Sequence, residues 1–118
     1  MPIKIQEGTT PQGRRLMRAQ VSGSVTLDDA QGMGAHLKEG QPFHKALVLC
    51  LVEKGTEYTP DSRKYFSTMR GTFKRMATVV ESPVLRAMIN FMHRLAGNAA
   101  DFRMFKNESE ALLWLDAD

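Results

Sequence analysis

The side chains able to do chemistry in this chain are few and scattered. Its histidines, His36, His44 and His93, never fall at the i, i+4 spacing that lets two imidazoles hold one metal from a helix face. The single cysteine, Cys50, lies inside the apolar run Ala46–Val52, where desolvation disfavours the thiolate. It reads as a small core hydrophobe rather than a nucleophile, and it has no internal disulfide partner. There is no CxxC pair, no glycine-rich phosphate-binding loop and no GxSxG nucleophile elbow. Asp28, Asp29 and Glu110 stand where helix starts favour negative charge, so capping accounts for them. Glu53 and Glu57 lie near the carboxyl end of an expected central strand, where α/β proteins tend to bind ligands. An enzyme using the loop from Glu53 to Ser62 would have to be built there; otherwise these are solvated loop charges. No metal or cofactor is implied.

Charge is more informative than catalysis. The chain carries +3 overall, yet residues 59–75 hold Arg63, Lys64, Arg70, Lys74 and Arg75 against Asp61 alone. At 100° per residue, Arg63, Arg70 and Lys74 fall within an arc of about 40° on a helix. The plain reading is a solvated helix face. The sharper one is a stripe for an anionic partner, either an acidic protein or lipid headgroups. Nucleic acid is not expected, because the stripe is short and lacks interleaved aromatics for stacking bases.

The elements that must position these residues follow from periodicity. Ile3 and Ile5 alternate with polar residues, Gly8–Gly13 is a run of turn formers, and Arg14–Ser24 alternates again with Met17, Ala19 and Val21 on one face. A hairpin is predicted. Thr26-Leu27-Asp28-Asp29 starts a helix expected to reach about Glu39 and stop at Gly40, despite Gly32 and Gly34 inside it. Ala46–Val52 is apolar throughout, the mark of a strand buried on both faces. Thr59-Pro60 opens a second helix whose Tyr65, Phe66, Met69, Phe73 and Met76 keep helical spacing. Met76–Glu81 is another buried strand. Ser82-Pro83 opens a third helix, to about Ala96, with Gly97-Asn98 as its stop. Phe102, Met104 and Phe105 mark a last strand, and Asn107 caps a final helix carrying Ala111, Leu112, Trp114 and Leu115. The predicted order is β-β-α-β-α-β-α-β-α. This is an α/β fold with a mixed, mostly parallel sheet of four to five strands and about four helices, in one domain over residues 1–118.

The stretch from Met76 to Leu115 resembles the carboxyl-terminal half of SpoIIAA-like proteins, the bacterial STAS group of sulfate transporter and anti-sigma-factor antagonist domains. The resemblance rests on Ala77-Thr78-Val79-Val80, on Ser82-Pro83 with Arg86, on Phe91, and on Glu110-Ala111-Leu112-Leu113-Trp114-Leu115. The helix opening Thr59-Pro60-Asp61-Ser62-Arg63-Lys64-Tyr65-Phe66 resembles uncharacterised bacterial members of the same group. It implies a STAS-like fold shared in outline with Sec14-type lipid carriers. In the anti-sigma antagonists a serine at the start of a helix is phosphorylated, in an Asp-Ser-x-Gly motif. The matching stretch here reads Asp61-Ser62-Arg63-Lys64, with Ser62 expected to be exposed and tolerant of phosphate.

These readings converge on a non-enzymatic regulatory or binding domain that acts through protein contacts, as a homodimer. The candidate regulatory or ligand loop is Thr59, Asp61 and Ser62. The third helix has more apolar width than a sheet can cover, which nominates Phe91, Ile89 and Met88 as an interface. The alternative is a small carrier or sensor of an apolar, lipid-like ligand, with the methionines Met69, Met76, Met88 and Met92 lining its pocket instead of filling a core. No run reaches the roughly 18 apolar residues of a membrane span. Residues 1–5 lack the order of a signal peptide, so a cytoplasmic protein is expected.

Overall fold

The computed structural model describes residues 2–69, 71–95 and 101–117. The two alternating segments form β1 (Ile3–Thr9) and β2 (Arg15–Val21), paired antiparallel with Ile3 opposite Val21 and Thr9 opposite Arg15. The turn between them uses Gly13 at φ +82°, a conformation glycine adopts freely. After Gly23 comes β3 (Ser24–Val25), which the alternation of Arg14–Ser24 had merged with β2. Helix α1 (Leu27–Ala35) begins with a reciprocal cap. Thr26 Oγ1 accepts from the Asp29 N–H, and Asp29 Oδ2 accepts from the Thr26 N–H at 2.9 Å.

α1 ends at Ala35, a turn short of the predicted Glu39. Two interior glycines weaken it, and the chain then folds inward to bury Leu37 and Phe43. His44 Nδ1 lies 2.9 Å from the Leu37 carbonyl, which can only accept, so this nitrogen carries the proton. The apolar run becomes β4 (Leu47–Val52), followed by β5 (Glu57–Tyr58), which pairs with β3 as a small parallel ladder. Then come α2 (Pro60–Phe66), β6 (Arg75–Val79), α3 (Pro83–Leu95), β7 (Phe102–Phe105) and α4 (Glu108–Asp116). The predicted stop of the third helix, Gly97-Asn98, lies outside the described residues.

Among the described residues the main sheet has five strands in the order β1-β2-β4-β6-β7, all parallel except β1 with β2. Each crossover from β2 to β4, β6 and β7 steps the same way across the sheet. Right-handed connections therefore put α1, α2 and α3 on one face. That face packs Met17, Val48, Cys50, Met76 and Phe102 against Met33, Leu85 and Ile89. The other face packs Leu16, Leu47, Leu49 and Ala77 under α4 through Ala111 and Leu115. β4 supplies alternate residues to both cores, which is why its sequence shows no alternation. The mixed, mostly parallel α/β sheet with four helices is the predicted architecture.

Candidate functional site

Thr59 sits where the sequence places it, as N-cap of α2. Its Oγ1 accepts from the Ser62 N–H at 3.3 Å and donates to Asp61 Oδ1 at 2.5 Å; Asp61 Oδ1 also accepts from the Ser62 N–H at 2.9 Å. Ser62 corrects the expectation of an exposed hydroxyl. It is 0% exposed, and its Oγ donates to the Thr59 carbonyl at 2.8 Å. A small residue is needed there because the first turn of α2 lies against the body of the protein. Thr59, Asp61 and Ser62 thus form a closed capping network in which the buried Ser62 hydroxyl is already engaged.

The basic stripe is also corrected. α2 stops at Phe66, so Arg63 and Lys74 do not share a helix, and Arg70 lies outside the described residues. The Ser67 and Thr68 hydroxyls, each donating at 2.6 Å to a carbonyl three residues back, turn the chain out of the helix. Gly71, at φ +87°, completes the departure. Met69 and Phe73 keep apolar spacing only because the loop tucks both into the core. Arg63 leans towards α3, with Nη1 3.7 Å from Met88 Sδ. Arg75 donates to the carbonyls of Trp114 and Ala117 and lies over the Trp114 ring, closing the end of α4. Lys74 remains exposed.

The proposed interface divides. Ile89 is 3% exposed and belongs to the core, because it faces the sheet with Leu85. Met88 is half-buried against that core. Phe91 is 61% exposed, and Val84, two turns before it on the same stripe, is 79% exposed. Val84 and Phe91 are the part of the wide apolar arc that the described residues leave uncovered, and helical projection alone does not say which edge of that arc the sheet takes.

Two open clefts are formed by described residues. One, of about 420 Å³, lies at the carboxyl ends of β4 and β6, with Leu51 and Val79 as floor and Glu53, Lys54 and Glu81 at the rim. Glu57 is not part of it, being paired in β5 with Ser24. The other, of about 720 Å³, runs between β1 and α1. Sequence reasoning missed this one, although Gly32 inside a helix was a signal for it.

Cys50 is buried beside Thr78, and burial pushes its thiol up to about 12, partly offset by the hydrogen bond to Thr78. The Tyr58 hydroxyl is raised by burial and then by neighbouring Cys50. His36 is exposed as the C-cap of α1, and the His93 and Met92 side chains lie outside the described set. Among the described residues no three His, Cys, Asp or Glu side chains gather as a metal site, and no helix is long and apolar enough to cross a membrane.

No curated protein matches the chain in sequence. Among solved structures it is similar to an uncharacterized protein of the DUF3478 family with a SpoIIAA-like fold, from Shewanella loihica PV-4. The TM-score is 0.66 at 17% identity, over 96% of this chain and 93% of that one. That likeness shows the fold: a SpoIIAA-like α/β architecture. The sequence profile of a domain of unknown function, DUF7793, matches residues 16–117, and the chain belongs to that family.

Proposed function

We propose that this protein is a non-enzymatic regulatory or binding domain of STAS type, acting through protein contacts made by the outward stripe of α3. The observation that carries this reading is the pairing of Val84 and Phe91, both largely exposed and seven residues apart on one helix. Exposed apolar side chains aligned along a helix mark a contact surface more often than isolated ones do. Two-fold symmetry makes a homodimer the simplest assembly such a stripe can build. The alternative of an apolar-ligand carrier draws its support from the cleft floored by Leu51 and Val79, whose charged rim suits it less well.

Light scattering on two variants tests the reading. Phe91→Glu should give a folded protein of monomer mass where the unmodified protein is a dimer. Ile89→Glu should unfold or aggregate, because it places a charge in the core. An unmodified protein that stays monomeric at high concentration would remove the dimer, and with it this role for α3.

A further inference from the structure

The groove between β1 and α1 has a feature that packing does not explain. Gly32 lies in the interior of a helix, where glycine is disfavoured relative to alanine, yet a Cβ built there would meet nothing within 4 Å. No neighbour excludes a side chain at this position. The open space it preserves is the groove, which Gly32 lines together with Ile3, Ile5, Met33 and Asp28.

The opposite wall is a free strand edge. The Ser22 N–H donates to the Pro2 carbonyl and the Thr10 N–H to the Arg14 carbonyl, so even-numbered residues of the hairpin face each other's backbone. The N–H and C=O groups of Ile3, Ile5 and Glu7 therefore point outward, and β1 has no strand on that side among the described residues. Of the charged and titratable residues lining the groove, Lys4 stands on the strand side, His36 at the far end of the helical wall, and Asp28 and Asp29 at its start. Asp29 is occupied by Thr26, whereas Asp28 is exposed and has no hydrogen bond or ion pair among the described residues.

We infer that this groove is a strand-addition site for an extended peptide of a partner protein. The peptide pairs with the outer edge of β1, sets apolar side chains over Gly32, Ile5 and Met33, and presents a basic side chain to Asp28. Backbone pairing supplies affinity in such sites, and the pockets for alternate side chains supply choice. A second copy of this chain fits less well. Antiparallel pairing of two β1 strands would put Ile3, Ile5 and Glu7 of the copy on the helix side, bringing acid rather than base to Asp28.

The probe is a fluorescent peptide, acetyl-Ser-Arg-Thr-Val-Thr-Val-Thr, which places one Arg and two Val on a single face of a strand. Fluorescence polarisation should show saturable binding, and replacing its Arg by Glu should weaken binding about tenfold or more. Asp28→Lys should invert that preference. Gly32→Leu should abolish binding without lowering the thermal unfolding midpoint of the protein, which helix propensity should if anything raise, and N-methylation of alternate peptide amides should abolish binding from the other side. Phe91→Glu should leave peptide binding unchanged, so this site and the α3 surface can fail separately. No binding up to about 1 mM, or binding indifferent to both Gly32→Leu and Asp28→Lys, overturns the proposal. So does a dimer that Gly32→Leu splits, since the occupant would then be a second copy.

Discussion

Ser62 and Cys50 carry reactive groups that the fold has put out of use, each by a different physical route. Ser62 is enclosed, with its one proton given to the Thr59 carbonyl. Ser62→Ala should therefore cost about 1 kcal/mol in urea unfolding, the usual net worth of one hydrogen bond. Ser62→Glu, often used to imitate phosphate, should cost about 3 kcal/mol or more, because it forces an unpaired charge into a filled site. An exposed, regulatory serine would tolerate both. Cys50 is held protonated by burial, from an ordinary 9.0 up to about 12, with Tyr58 raised beside it. In the unfolded chain the thiol ionises first. The folded state thus keeps the proton that the unfolded state loses, and stability is full below pH 9.0 and falls as pH climbs towards about 12. Cys50→Val should flatten that alkaline decline in stability measured against pH. Thiol reagents should label the native protein slowly at neutral pH and the denatured protein fast.

At the scale of elements, α1 contains two glycines with opposite meanings. A Cβ at Gly34 would collide with the hydroxyl and ring of Tyr65, so this glycine lets α2 approach α1. Gly34→Ala should destabilise the protein by about 1–3 kcal/mol, as overpacking does. Gly32→Ala, in open space, should stabilise it by about 0.5–1 kcal/mol through helix propensity alone. Thermal unfolding of the two variants in parallel checks the sign of each. Both glycines look alike in the sequence, since a sequence shows that a residue is small but not what its smallness admits. The same limit applies elsewhere. Ala46–Val52 was legible as a central strand because burial on two faces removes alternation, and Thr26, Thr59 and Asn107 were legible as caps because capping is local. The length of α2 was not, because Met69 and Phe73 are buried by a loop that happens to preserve helical spacing. The split between Ile89 and Phe91, and the free edge of β1, depend on which elements lie next to α3 and β1. No local pattern encodes that.

The molecule as a whole is asymmetric about its sheet. Three helices cover one face, whereas among the described residues α4 covers the other, so α4 has to be secured from several directions. Arg18 on β2 grips Glu108 at the start of α4 with two hydrogen bonds, at 3.1 and 2.9 Å. Arg75 closes its far end, and Asp116 accepts from the Gln12 N–H, joining the last helix to the first hairpin across 104 residues. The Phe105 and Trp114 rings, with centroids 5.8 Å apart, seal the side towards β7. Among the described residues no second helix shares the load on this face, so a cavity there has little around it that can move in to fill it. Leu115, fully buried over Leu47, Leu49 and Ala77, should lose about 2–5 kcal/mol on replacement by alanine. Leu113, two residues earlier and 66% exposed, should change stability by about 0.5 kcal/mol or less. Leu115→Ala should also speed hydrogen exchange throughout α4 while amides of α1 and α3 keep their protection, because the two cores are separated by the sheet. Uniform loss of protection on both faces would mean instead that α4 folds and unfolds with the whole sheet, and that its attachments act as one unit.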